Sequence, residues 1–179
     1  MSDEETVSPI VLDASAAIAL IRSEHAEQEI NVQISRHRID GGRLLVPDLF
    51  WIELTNVFMN RYSASPREAV QILREVDELG IESIRTERAL VLHAIEIQHR
   101  HRLSAYDATY LALAEAENAR LLTLDVKLAD AAGARTIHLD GMPRRLSEGA
   151  TEYGRDPIDW ARFGPYLARL RAEAVTGAR

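Results

Sequence analysis

The sequence predicts an α/β protein, a three-layer α/β/α arrangement with a mainly parallel sheet and an appended C-terminal helical segment. Two observations lead there. Short apolar runs, bounded by turn residues, recur along the chain, and each is followed by a stretch with helical spacing after only a short connection. That alternation belongs to parallel strands covered by helices on both faces.

Ile10 to Leu12, entered through Pro9, reads as a buried strand, and Ala16 to Ile21 as the apolar helix it feeds. A second helix is expected from His25 to Arg38, with Ile30 and Ile34 inward and Val32 off that line; Asp40-Gly41-Gly42 stops it. Arg43 to Pro47 is the second strand. Phe50 to Tyr62 follows as a helix with Phe50, Leu54, Val57 and Phe58 on one face. Ser65-Pro66 places a cap residue before a proline at the first helical position, and the helix it opens runs to Leu79, where Gly80 ends it. Ile81 to Arg85 is a third strand, Glu87 to Arg102 a long helix ending in His and Arg, and Ser104 to Ala119 another helix. Arg120 to Leu124 makes the fourth strand, a short helix reaches Ala132, and Thr136 to Leu139 is expected as a final strand. The chain thus divides into an acidic, flexible N-terminus (1–8), one α/β domain (9–140) and an extension (141–179). In the extension Trp160, Phe163, Tyr166, Leu167 and Leu170 recur at helical spacing, which fits packing on the domain or on a partner.

Composition removes several chemistries. The 179 residues hold no Cys, so thiolate nucleophiles, Cys-ligated zinc and iron–sulfur clusters are excluded, and any metal must take oxygen or imidazole ligands. With 21 Lys+Arg against 28 Asp+Glu the net charge is −7, which argues against non-specific coating of duplex DNA. Lys127 is the single lysine; arginine carries the remaining positive charge and suits bidentate phosphate contacts. Asp3, Glu4 and Glu5 stand where a secretory signal would be basic then apolar, and no apolar run approaches a membrane span, so the cytoplasm is the expected location. Walker, Gly-x-Gly-x-x-Gly and Gly-x-Ser-x-Gly patterns are absent.

Ligands of open parallel sheets bind outside the carboxyl ends of the strands. Asp13 directly follows the first strand and Asp125 the fourth; Glu53 lies in the first turn after the second strand, and Asp107 in the first turn of the helix before the fourth. Each has a plainer role when taken singly. Asp13 and Asp125 suit helix N-caps, Ser104-x-x-Asp107 matches a capping box, and Glu53 suits a helix dipole. Together, at one edge, they would repel one another and raise each other's pKa values, a conflict that a divalent cation resolves. Oxygen-only ligation points to Mg²⁺ or Mn²⁺ and so to phosphate chemistry. Ser15 and Thr123 are placed to orient such ligands by hydrogen bonds, and Asn56 to do so at most indirectly.

Four segments carry a resemblance: Val11-Leu12-Asp13-Ala14-Ser15-Ala16, Pro47 to Glu53 with Asn56 a turn later, Leu103-Ser104-Ala105-Tyr106-Asp107-Ala108, and Leu121-Leu122-Thr123-Leu124-Asp125. In this order and spacing, over Ile10 to Leu139, they resemble PIN-domain ribonucleases, and within them the VapC-type toxins of bacterial toxin–antitoxin pairs. The resemblance makes 9–140 a PIN-like nuclease domain. It implies a Mg²⁺- or Mn²⁺-dependent endoribonuclease in which Asp13, Glu53, Asp107 and Asp125 form the catalytic, metal-holding cluster and Thr123 its hydroxyl neighbour. It also implies a homodimer, a small cognate antitoxin protein and structured RNA, often transfer RNA, as substrate. The extension from Gly141 lies outside the resemblance.

Arg100 and Arg102, with Arg43 if the fold brings it close, are the candidate contacts to RNA phosphates. His99 and His101 are two residues apart and do not face one another on a helix, so they do not share a metal readily. Phosphoacceptor and aspartyl-phosphatase domains also carry Asp at strand ends, but the first site here is Asp13-Ala14-Ser15 and not Asp-x-Asp. A free-standing RNA-processing nuclease and a catalytically silent protein-binding module are the other readings.

Overall fold

The computed structural model describes residues 7–22 and 26–139. Among them the chain runs β1 (Ile10–Leu12), α1 (Ala14–Arg22), α2 (Glu27–Ile39), β2 (Leu44–Pro47), α3 (Leu49–Asn56), α4 (Pro66–Asp77), β3 (Ile81–Ile84), α5 (Arg88–His101), α6 (Ala105–Ala116), β4 (Arg120–Leu122) and α7 (Val126–Ala132). The expected flexible N-terminus and the C-terminal extension fall mostly or wholly outside the described residues.

All strands pair in parallel, in the order β3-β2-β1-β4. The first two crossovers step outward from β1 in one direction, and the third returns to its other side. With right-handed crossovers this puts the helices of the first two connections on one face and those of the third on the other. It also places the reversal of strand order between β1 and β4. Every residue of β1 and β2 is buried, which explains their unbroken apolar character; β3, at the edge, exposes Glu82 and Ser83.

Local chemistry explains most boundaries. Ile30 and Ile34 are buried and Val32 exposed, as the spacing of α2 requires. Gly41 takes φ +77°, and a Cβ on Gly42 would fall 2.1 Å from the His37 ring, whose Nε2 bonds the Arg43 carbonyl at 3.0 Å. Ser65 accepts from the Glu68 N–H at 3.4 Å while the Glu68 carboxylate accepts from the Ser65 N–H at 2.7 Å, a reciprocal cap with Pro66 at the first position of α4.

Two expectations need correction. The helix read as continuous from Phe50 to Tyr62 is α-helical only to Asn56 and then widens into a π turn, Val57–Arg61, closed by Tyr62 N–H to the Val57 carbonyl at 3.2 Å. Phe50, Leu54 and Phe58 are all fully buried, so the apolar spacing continues through the change and conceals it. The strand expected at Thr136 to Leu139 reduces to a single parallel bridge, Thr136 to Leu121, with Ile137 N–H donating to the Leu121 carbonyl at 2.8 Å. A 3₁₀ turn, Gly133–Arg135, delivers the chain to that bridge, and only Thr136 and Ile137 are buried beyond it.

Candidate active site

A cleft of about 200 Å³ opens at the carboxyl ends of the strands, beside the point where their order reverses; Asp13, Ser15, Glu53, Asp107 and Asp125 line it together. Asp13 comes from the end of β1, Asp125 from the end of β4, Glu53 from the first turns of α3 and Asp107 from the first turn of α6. Walls from both faces of the sheet therefore meet over its edge.

Asp13 is 5% exposed, and three donors converge on its Oδ2: the Ser15 hydroxyl, the Thr123 hydroxyl at 2.8 Å and the Ser15 N–H at 3.3 Å. Among the described residues none donates to Oδ1. Ser15 Oγ in turn accepts from Leu124 N–H at 2.9 Å, and Thr123 Oγ1 from Asp125 N–H at 3.0 Å. These two hydroxyls thus stitch the end of β1 to the end of β4. Burial raises the Asp13 pKa most, the bonds from Ser15 and Thr123 oppose the rise, and the charge of Asp107 adds to it.

The plainer roles are partly present as well. Asp125 caps α7 through Leu128 N–H at 2.8 Å while lining the cleft. Ser104 caps α6, accepting from Asp107 N–H at 3.0 Å, but the Asp107 carboxylate takes the Ser104 hydroxyl at 2.7 Å where a capping box would take its N–H. Asp13 likewise caps α1 through Ser15 N–H at 3.3 Å, while the same oxygen takes the hydroxyls of Ser15 and, from the end of β4, Thr123. Burial lifts the Asp107 pKa; the Ser104 bond lowers it, and the neighbouring Asp125 raises it again.

Glu53 accepts the Tyr110 hydroxyl at 2.5 Å on Oε2. Its pKa rises from 4.5 to about 7, chiefly through burial; the Tyr110 bond opposes the rise, and the charges of Asp13 and Asp107 add to it. Tyr110 is fully buried, and sequence reading missed it. The available signal was its spacing: it stands three residues after Asp107, one turn deeper on the same side of α6. Arg61 and Tyr62 also line the cleft, brought there by the π turn.

Other expected residues lie elsewhere. Asn56 is exposed and accepts from Asn60 at 2.6 Å. Arg43 precedes β2 and so sits at the amino-terminal end of the parallel strands, where it holds Glu82 with contacts of 2.8 and 2.9 Å, away from the cleft at their carboxyl ends. Arg100 and Arg102 are exposed, at the end of α5 and in the turn that leads to α6. That turn adjoins the end of α6 bearing Asp107. His99 and His101 are exposed on the same last turn.

Among the described residues no three acidic or imidazole side chains close to ligating distance as they stand. The donor set nevertheless suits a hard divalent cation: carboxylates only, gathered in one cleft, with ionisation opposed by burial and mutual repulsion. Added positive charge would relieve that opposition.

A parallel sheet with this carboxylate edge defines a class, and the chain belongs to the PIN-domain family, whose model its residues 10–134 match. It is 32% identical over 138 residues to Ribonuclease VapC9 of Mycobacterium tuberculosis, spanning 70% of this chain and 93% of that one. It is 30% identical over 126 residues to Ribonuclease VapC3 of Pyrobaculum aerophilum, spanning 68% and 92%. The crystal structure of PAE2754 from Pyrobaculum aerophilum superposes with a TM-score of 0.53 at 17% identity, over 95% of this chain and 94% of that one, a likeness of fold.

Proposed function

We propose that this chain is a Mg²⁺- or Mn²⁺-dependent endoribonuclease that hydrolyses RNA phosphodiester bonds as the toxin of a toxin–antitoxin pair. The observation that carries the reading is the meeting of Asp13, Glu53, Asp107 and Asp125 in one cleft, in a chain similar to proteins named as VapC ribonucleases. A bound divalent ion supplies the missing positive charge and Lewis-acid activation of the phosphodiester and the attacking water. The chain's own residues do the rest. Asp13 offers Oδ1 while Oδ2 is tied to Ser15 and Thr123, so its orientation is set before any ligand arrives. Asp107 and Asp125 present carboxylates from two helix N-termini on the opposite side. Glu53, ionising near 7 in the metal-free cleft, is the carboxylate that gives up a proton as the ion enters.

The exposed Arg100 and Arg102, beside the α6 end of the cleft, are the proposed contacts to flanking phosphates. Structured RNA such as transfer RNA as substrate, a homodimeric state and a small cognate antitoxin follow from the family resemblance. No helix among the described residues is long and apolar enough to cross a membrane, and the proposed location is the cytoplasm. Expression in bacteria tests the toxin role. Wild-type protein is expected to arrest growth within a generation or so, and Asp107→Asn, produced to the same level, is expected not to; equal growth with both contradicts it.

A further inference from the structure

We propose that Tyr110 is the positioning residue of the site, its hydroxyl fixing the Glu53 carboxylate in the cleft that Asp13 and Asp107 also line, where it would help to hold a divalent cation. The inference rests on the nuclease reading above and goes beyond it by assigning a role to a residue that touches neither substrate nor ion.

Tyr110 is fully buried and lies among the largest side chains of the core, so its ring alone has an ordinary packing role. The hydroxyl does not. A buried phenol needs an acceptor, and a backbone carbonyl would serve at little cost. Here the acceptor is a carboxylate on a different helix, 57 positions away in sequence, at 2.5 Å. One oxygen of Glu53 is thereby committed to the protein. Asp13 is held in the same way, its Oδ2 taken by the hydroxyls of Ser15 and Thr123 and by the Ser15 N–H. Two acidic side chains from different elements are thus each held through one oxygen in the same cleft. α6 is the common frame: it supplies Asp107 at the rim and, one turn further in, the hydroxyl that orients Glu53. Without that hydroxyl the Glu53 side chain, on a helix of the other wall, has rotamers to choose from.

Tyr110→Phe keeps the ring and removes the hydroxyl, which donates to Glu53 and also meets the Ala14 backbone. The test measures Mn²⁺ binding by titration calorimetry and RNA cleavage for wild type and Tyr110→Phe, with thermal melts to establish that both are folded. The proposal expects Mn²⁺ affinity to fall by about tenfold, with kcat reduced and KM for RNA within about twofold. In Mn²⁺ affinity, Tyr110→Phe added to Glu53→Gln should cost little more than Glu53→Gln alone, because the hydroxyl acts on the ion through Glu53. A folded Tyr110→Phe that binds Mn²⁺ and cleaves like wild type overturns the proposal while leaving the nuclease reading intact; wild type that takes up no Mn²⁺ overturns both. A measurement on the wild type stands even if the variant does not fold. Proton NMR should show a slowly exchanging tyrosine hydroxyl whose resonance moves when Mg²⁺ is added, and a hydroxyl resonance indifferent to Mg²⁺ contradicts the assignment.

Discussion

At the scale of single residues, the cleft sets stability against function. Glu53 ionises near 7 in the folded chain and near 4.5 when exposed. A carboxyl whose folded pKa is raised contributes stability below its unfolded value and loses it as pH rises through the folded one. For metal-free protein that loss falls between about pH 4.5 and 7 and is on the order of 1 kcal/mol, once solvent screening of a partly exposed carboxylate is allowed for. Glu53→Gln, which keeps an oxygen for Tyr110, is therefore expected to melt like wild type near pH 5 and roughly 2–4 °C higher at pH 8. Equal melting at both values would contradict this. Thr123 supplies a second case, since its hydroxyl both donates to Asp13 and accepts from Asp125 N–H. Thr123→Val should destabilise by ~1–3 kcal/mol in denaturant melts and lower cleavage by roughly 10–100-fold. The four acidic positions were legible in the sequence because each stands beside a strand end or a helix start. Tyr110 was not, because a tyrosine within an apolar helix looks like core, and only the folded structure shows that its hydroxyl reaches Glu53 across the cleft.

At the scale of elements, the helix starts at the cleft carry more than one duty. Ser104 caps α6 and holds the Asp107 carboxylate, and Asp125 caps α7 from the cleft wall. A cap remote from the cleft separates folding from chemistry. Ser65→Ala should cost about 1 kcal/mol of stability with kcat/KM unchanged at temperatures where the protein stays folded. A change in kcat/KM there would mean that loosening α4 disturbs α3 and the π turn, on which it packs and which line the cleft. Capping patterns were readable, since Ser-Pro and Ser-x-x-Asp act over a few residues. The π turn after α3 was not, because Phe50, Leu54 and Phe58 keep a four-residue spacing while the hydrogen bonding beneath them changes register. The reading of Thr136 to Leu139 as a strand failed for a related reason: an apolar, β-branched run has strand character, but only one residue of it finds a bridge on β4.

At the scale of the whole molecule, sheet order produces the site. β1 lies between β2 and β4, so the residues following β1 and β4 meet where the connections diverge, and the adjoining helices close the walls. The parallel, helix-covered sheet could be anticipated from alternating runs, and so could the position of Arg43: it precedes β2, and in a parallel sheet strand starts lie at the end away from the carboxyl-end cleft. The chain carries a net charge of −7 and gathers four of its carboxylates in that cleft. Metal uptake should therefore stabilise the fold, by about 2.7 kcal/mol at a hundredfold excess over Kd, and more strongly at pH 8 than at pH 6, because Glu53 must lose its proton. Thermal shifts with Mn²⁺ at the two pH values check this, and an equal or smaller shift at pH 8 would count against Glu53 as part of the metal-holding set.

The most direct test is cleavage of a panel of transfer RNAs and single-stranded DNA by purified, partner-free protein with Mg²⁺ or Mn²⁺, then with EDTA, beside Asp107→Asn shown to be folded. The amide oxygen introduced by Asp107→Asn can still accept the Ser104 hydroxyl, so the start of α6 should hold. RNA cleavage is expected to require the metal and to fall in the variant by more than the roughly 10–100-fold typical of losing a metal ligand's partner. Cleavage that persists in EDTA, or that the variant performs as well as wild type, would contradict the four-carboxylate metal site.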